Sequence, residues 1–174
     1  MEEKSAFVEH IVKRGNDAEM VLRKMLVVCL TLLIPCICLF FPFLEQFALL
    51  ALLVCAAVGT YFFMLQSVEY EFAVTGGQLD VDLIRGKRKR KHMLTVDGHD
   101  MELMAPMKRA YMGEFNSSSI QKRYFAASSP KSKTRWFALF HNDKGQKSIL
   151  IFEPTPEMLS ALKFAVGPRN FKAE

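Results

Sequence analysis

A run of six cations is the part of the sequence best suited to binding. It consists of Arg85, Lys87, Arg88, Lys89, Arg90 and Lys91. Clustered lysines and arginines attract phosphates and carboxylates, so the chemistry that they support is recognition of an anionic surface. An alternative is that Asp80 and Asp82, which precede the run, pair with its cations across neighbouring strands and leave a solvated face.

A second candidate segment spans residues 106–119, where Lys108, Arg109 and Tyr111 lie close together. Long irregular segments of compact domains are often functional, and basic residues beside an aromatic ring suit a membrane interface or a peptide partner. The alternative is that the aromatic side chains fold back onto the core. These three residues join the six cations as the predicted lipid- or partner-binding set.

Residues that could bind a metal ion or catalyse a reaction are few. Five side chains fall close together in the sequence without a recognised ligand spacing, namely His92, Asp97, His99, Asp100 and Glu102. The chain has no phosphate-binding glycine loop, nucleophile elbow or paired-carboxylate pattern. We therefore expect no enzyme activity, metal or cofactor. The basic run also lacks the interleaved aromatic residues that stack on bases, so no nucleic-acid partner is expected.

The elements that position these residues include a long apolar stretch. Residues 25–68 contain a single formally charged side chain, that of Glu45. A bilayer core takes about 20 helical residues to cross, so the stretch is long enough for two spans. Pro42 and Glu45 mark a break near its middle, which predicts a hairpin of two transmembrane helices. The rest of the chain is too small to cover two such helices in a soluble protein.

Basic residues flank both predicted spans. Arg23 and Lys24 precede the first span and the six-cation run follows the second, whereas the turn between the spans carries only Glu45. Because lysine and arginine near spans are retained on the cytoplasmic side, both termini of this multi-pass protein are predicted to lie on the cytoplasmic side of the plasma membrane. A row of small residues in the second span suggests a possible homo-oligomer: Ala51, Cys55 and Gly59.

The N-terminal segment has an amphipathic pattern. Its apolar residues Phe7, Val8, Ile11 and Val12 fit one face of a short helix over residues 5–14. Gly15 ends this helix, and Asn16 or Asp17 is a candidate N-cap for the helix that enters the membrane. The short helix is expected to bind the membrane interface or to cover the cytoplasmic domain. The predicted domains are therefore residues 1–24, the hairpin at 25–68 and a cytoplasmic domain at 69–174.

After Val68 the sequence changes to alternation of apolar and polar residues, which predicts strands. Seven strands are predicted, over residues 69–74, 79–83, 89–96, 101–105, 120–126, 135–141 and 147–152. A C-terminal helix follows, with Thr155 as N-cap, Pro156 at the first helical position and Gly167-Pro168 as the stop. The expected class is α+β, with a seven-stranded antiparallel sandwich or barrel.

This order of elements is that of the pleckstrin-homology (PH) superfold. Several segments resemble a group of small bacterial membrane proteins that carry a PH-like domain: Phe-Val-Glu-His-Ile-Val-Lys-Arg near the N-terminus, Glu-Tyr-Glu-Phe, Gly-Gly-Gln-Leu-Asp-Val-Asp, the basic run, and Phe-Glu-Pro-Thr-Pro-Glu-Met-Leu near the C-terminus. The resemblance covers most of the chain and implies a fold rather than an activity. PH domains that bind phosphoinositides carry basic residues between their first two strands, whereas this chain has Thr75-Gly76-Gly77-Gln78 there.

The predicted function is that of a membrane-anchored, non-enzymatic adaptor. The first strand follows the second span without a linker and leads away from the bilayer, so the second strand must return toward it. This return places the turn near Gly86 close to anionic headgroups. The expected partners are anionic membrane lipids, an unidentified membrane or cytoplasmic protein, or both. The alternative is an accessory subunit of a membrane enzyme or transporter complex.

Overall fold

The computed structural model describes residues 7–15, 18–142 and 144–173. Within these ranges the chain forms four α-helices and eight strands. The helices are α1 (Ala18–Phe40), α2 (Ala48–Leu65), α3 (Met112–Phe115) and α4 (Pro156–Asn170). The strands are β1 (Val8–Lys13), β2 (Val68–Thr75), β3 (Gln78–Arg85), β4 (Lys89–Asp97), β5 (Met101–Pro106), β6 (Lys122–Ala126), β7 (Trp136–His141) and β8 (Lys147–Phe152).

The chain divides into two compact units. The hairpin unit comprises Gly15–Val68 together with Arg85–Lys89. The β unit comprises Met1–Arg14, Glu69–Ile84 and Arg90–Glu174. The turn between β3 and β4 therefore belongs to the same compact unit as the two long helices.

Helices α1 and α2 are joined by the tight turn that the sequence predicts. The carbonyl of Phe41 accepts hydrogen bonds from the backbone N–H groups of Leu44 at 2.8 Å and Glu45 at 3.1 Å. A short 3-10 helix, Glu45–Phe47, then leads into α2. Pro35 lies within α1 and does not end it. Both helices are long and apolar enough to cross a membrane, and most of their large apolar side chains are exposed.

The two long helices pack against each other through small residues. Gly59 of α2 is buried, and a Cβ added to it would lie 2.9 Å from Oγ1 of Thr31 on α1. Ala51 and Cys55, on the same row of α2, are half-buried, whereas most residues around them are exposed. The small-residue row therefore faces α1 within the hairpin. An oligomer formed through these helices would have to use another face.

The first sheet of the β unit has the strand order β1-β2-β3-β4. Strand β1 runs antiparallel to β2, with Val8 opposite Val74 and Lys13 opposite Glu69. The prediction of an amphipathic helix over residues 5–14 was therefore wrong for its described part. Pairing with β2 satisfies the backbone of this segment and buries Val12, and its β-branched residues favour a strand. Residues 5 and 6 and the predicted cap at Asn16 or Asp17 lie outside the described ranges.

The second sheet has the order β5-β7-β8-β6. All seven predicted strands are present, but β6 runs parallel to β8, so the expectation of a purely antiparallel arrangement was wrong. The long connection after β5, which contains α3, carries the chain from the β5 edge of the sheet to the opposite edge, where β6 begins. Strands β5 and β6 run in the same direction at opposite edges of the sheet, and strands that run in the same direction need such a crossover. With β1 included, the described chain has two four-stranded sheets.

The core lies between these sheets and is closed by α4. Phe72 of β2 and Phe152 of β8 are fully buried, with ring centroids 6.0 Å apart. Helix α4 begins as predicted, because Oγ1 of Thr155 accepts a hydrogen bond from the N–H of Met158 at 3.3 Å. It leaves helical geometry at Gly167, whose φ is +76°. The residues that follow this break, up to Asn170, form one further helical turn.

The residues after α4 continue along the second sheet. The ring of Phe171 lies 5.6 Å from that of Trp136, and the N–H of Lys172 donates to the carbonyl of Met104 at 2.9 Å. The C-terminal residues thus cover the outer edge of β5. Trp136, the single tryptophan of the sequence, is half-buried in this sheet and reports on the folding of the β unit.

Candidate functional site

Four of the predicted binding residues lie at the turn between β3 and β4, counting the last residue of β3 and the first residue of β4. We call Arg85, Lys87, Arg88 and Lys89 the cationic turn. Gly86 and Lys87 have positive φ angles of 59° and 57°, the left-handed geometry of a tight hairpin turn. The N–H of Gly86 donates to the carbonyl of Ser67 at 2.9 Å, and a Cβ at Gly86 would lie 3.2 Å from the carbonyl oxygen of Met64. The turn therefore sits directly against the C-terminal end of α2.

The four cationic side chains of the cationic turn are exposed. None of the four forms an ion pair with any residue in the described ranges. The carboxylates of β3 bind elsewhere: Asp82 contacts Arg90 and His92, and Asp80 accepts a hydrogen bond from Thr95. Of the two aspartates only Asp82 contacts a cation of the predicted run, and that cation is Arg90.

Arg90 belongs to a charged cluster on the outer side of the first sheet. Its Nη2 atom lies 2.8 Å from Oε1 and 2.6 Å from Oε2 of Glu71, a carboxylate with only 7% of its surface exposed. A hydrogen bond that protonated Glu71 donates to the side chain of Glu9 on β1 raises the pKa of Glu71, and burial raises it further, while Arg90 opposes the rise. Arg90 on β4 thus pairs with a buried glutamate on β2, across the intervening strand β3.

The raised pKa of Glu71 predicts a pH-dependent stability. Glu71 binds its proton more tightly in the folded protein than in the unfolded chain, and this difference stabilises the fold when Glu71 is protonated. The stabilisation is fully present below the ordinary pKa of 4.5 and is lost as the pH rises through the folded-state pKa. Replacing Glu71 by glutamine should flatten the decline in stability that sets in as the pH rises above 4.5. The measurement is thermal unfolding of the full chain in detergent, followed by Trp136 fluorescence.

Glu114→Gln, at an exposed glutamate on α3, serves as the control for this pH series. It should leave the pH profile of the parent protein unchanged. A Glu71→Gln profile as steep as that of the parent protein would show that Glu71 takes up no proton preferentially in the folded state.

The remaining predicted residues belong to the β unit. Lys91 is exposed on β4, and Lys108 and Arg109 are exposed at the start of the connection between β5 and β6. Tyr111 is half-buried against a small apolar cluster that includes Ala105 and Phe137. The ring of Tyr111 therefore packs onto the second sheet. This agrees with the alternative hypothesis that the aromatic side chains of this segment fold back onto the core.

Two further cations lie at the end of the hairpin where the cationic turn is found. Lys24 of α1 and Phe63 of α2 line one shallow pocket, so the start of α1 lies beside the end of α2. Arg23 precedes Lys24 directly. At the opposite end, Glu45 is the single charged residue of the described turn. The hairpin unit thus has one strongly cationic end.

Three of the side chains weighed as metal ligands, those of His92, Asp97 and Glu102, have other partners. Nδ1 of His92 lies 2.8 Å from Oδ1 of Asp82, and the Asp97 carboxylate accepts a hydrogen bond from the backbone N–H of His99. Glu102 pairs with His141 at 3.3 Å across the second sheet. Among the described residues, no group of three or more His, Cys, Asp and Glu side chains is arranged to hold a metal ion.

A family model described as "Bacterial PH-like domain (DUF6106)" matches residues 4–172. The chain belongs to this family. The match includes the two apolar helices as well as both sheets and α4, so the resemblance to bacterial proteins with a PH-like domain is confirmed over nearly the whole chain. Neither a curated protein nor a solved structure matches the sequence.

Proposed function

We propose that this PH-like protein is a membrane-anchored, non-enzymatic adaptor whose cationic turn contacts anionic lipid headgroups on the cytoplasmic side. The observation that carries the proposal is the position of the turn: four exposed cations without a carboxylate partner among the described residues are fixed against the end of an apolar helix. A helix end of this kind lies at the headgroup level when the helix spans a bilayer.

The distribution of charge along the hairpin unit supports the orientation. Its cationic end carries Arg23 and Lys24 in addition to the cationic turn, and its other end carries Glu45. Lysine and arginine near spans are retained in the cytoplasm. We therefore place both termini and the β unit on the cytoplasmic side. An adaptor role agrees with the PH-like family, since PH-like domains are generally non-catalytic.

The hydrogen bond from Gly86 lowers the entropic cost of the lipid contact. A flexible loop would lose conformational entropy on binding, whereas this turn is held by its left-handed backbone and by the Ser67 carbonyl. Each cation near an anionic surface contributes about 1 kcal/mol, and the effect fades over a Debye length of about 10 Å. The contact should therefore weaken when salt is added.

The test replaces all four cations of the turn by glutamine and measures which lipids surround the full chain. The protein is reconstituted in mixed phosphatidylglycerol and phosphatidylcholine vesicles, and spin-labelled lipids report the relative association of the two headgroups. The parent protein should prefer phosphatidylglycerol several-fold, and the variant should lose most of that preference because the attraction falls by about 1 kcal/mol per cation removed.

A matched variant removes the same charge from the β unit. It replaces four exposed lysines, Lys131, Lys133, Lys144 and Lys163, by glutamine. It should keep the preference for phosphatidylglycerol, and added salt should reduce the preference of the parent protein. Equal lipid selectivity in the parent protein and the cationic-turn variant would refute the proposed contact.

A further inference from the structure

An open cleft of about 600 Å³ lies along β4 within the β unit. Residues 92–97 of β4 form one side of it without interruption, and Tyr124 and Phe140 of the second sheet line it as well. The two rings are stacked, with centroids 6.2 Å apart. A cleft that follows six consecutive residues of a strand runs along the backbone of that strand.

Strand β4 offers an unpaired backbone to this cleft. It is last in the order β1-β2-β3-β4, so no strand in the described ranges pairs with its other side. Exposed strand edges are usually protected by proline, lysine or a covering segment. Residues 93–96, Met-Leu-Thr-Val, contain neither proline nor lysine. By contrast, the C-terminal residues cover the edge of β5 through the hydrogen bond from Lys172 to Met104.

We propose that an extended, basic segment of a partner protein binds in this cleft by adding a strand to β4. Main-chain hydrogen bonds to an edge strand provide the affinity of such binding, and flanking pockets select the side chains. The stacked rings of Tyr124 and Phe140 provide an apolar wall. This inference rests on the adaptor role proposed above and names the class of its protein partner.

The charge of the cleft determines the type of segment. Asp97 and Asp100 line it, and none of the described lining residues is a lysine or arginine. A lysine or arginine in the bound segment would therefore meet carboxylates near one end of the cleft. An acidic segment would face the same carboxylates and be repelled.

The experiment selects binders from a displayed library of random decapeptides, using the full chain in nanodiscs. The enriched peptides should be basic and should contain alternating apolar residues. One of them, synthesised and added in excess, should slow hydrogen exchange at the amides of residues 93–96 several-fold. Enrichment of no peptide, or protection confined to other segments, would overturn the proposal.

Two variants test the cleft, and both are checked for folding by Trp136 fluorescence. Asp100→Asn removes a carboxylate, and Met93→Lys places a cation inside the cleft. Each should weaken binding of the selected basic peptide about tenfold, which corresponds to about 1.4 kcal/mol of binding free energy. Glu114→Gln removes an exposed carboxylate outside the cleft and should leave the affinity unchanged. Unchanged affinity in folded Asp100→Asn and Met93→Lys proteins would exclude this site.

The outcomes separate this inference from the lipid proposal. Peptide binding depends on β4 and is read by hydrogen exchange, whereas lipid contact depends on the cationic turn and is read by spin-labelled lipids. Retained preference for phosphatidylglycerol without peptide binding would reject the strand addition alone. Peptide binding by the cationic-turn variant, together with a loss of lipid preference, would support two independent sites.

Discussion

Replacing Gly98 by alanine should destabilise the β unit by about 3 kcal/mol, the upper part of the range for overpacking a core. A Cβ at this position would lie 2.5 Å from Cβ of Ala165 on α4 and 2.9 Å from the carbonyl oxygen of Gly77. The N–H of Gly98 also donates to that carbonyl at 3.0 Å. The added methyl group must therefore push α4 away or break the contact between two turns.

The measurement is thermal unfolding of the full chain in detergent, with Trp136 fluorescence as the signal. A loss of about 3 kcal/mol should lower the midpoint by about 10 °C in a domain of this size. Gly113→Ala is the matched control, because no atom lies within 4 Å of a Cβ at that exposed glycine. It should change stability by less than about 0.5 kcal/mol. Similar small shifts in both variants would show that α4 is free to move away from Gly98.

The contact among Gly77, Gly98 and Ala165 shows what sequence reasoning could and could not find. Both glycines fall between strands that were correctly predicted, since the ends of strands are recognisable from local sequence. Their close approach to α4 depends on residues far apart in the chain, and the sequence contains no local signal for it. The seven strands and both ends of the α4 prediction were likewise local and were found.

The N-terminal strand was missed for a different reason. Phe7, Val8, Ile11 and Val12 fit the spacing of a helix face, and a segment of this length does not distinguish helix from strand by periodicity alone. Its partner, β2, follows only after the whole helical hairpin. This correction has a practical consequence, because a fragment that starts at Glu69 lacks β1. Tests of lipid binding therefore require the full chain.

Six of the nine predicted site residues form one run in the sequence, and the structure separates the members of this run. Strand geometry turns Arg90 toward Glu71, whereas the four residues of the cationic turn remain exposed. The decisive partner, Glu71, lies on β2, and its pKa depends on Glu9 of β1. A run of similar residues in the sequence does not reveal which of them a distant strand will use.

Replacing Gly59 by leucine should open the packing between α1 and α2. Even the Cβ would lie 2.9 Å from Oγ1 of Thr31, which already donates to the carbonyl of Val27 at 2.6 Å. Thr31 could turn aside for a methyl group at the cost of this hydrogen bond. A leucine side chain needs far more space than that rotation provides, and membrane helices associate mainly through close packing of small residues.

The natural cysteines report this opening. Cys55 is half-buried on the row that faces α1, whereas Cys29 and Cys36 are exposed. In detergent, Gly59→Leu should raise the rate of Cys55 modification by N-ethylmaleimide several-fold and leave the rates at Cys29 and Cys36 unchanged. Ala56→Leu, on the exposed side of the same helix, should alter none of these rates. If Cys55 reacts equally fast in the Gly59→Leu and parent proteins, the hairpin does not depend on contact at Gly59. The small-residue row would then be available for association with a second copy.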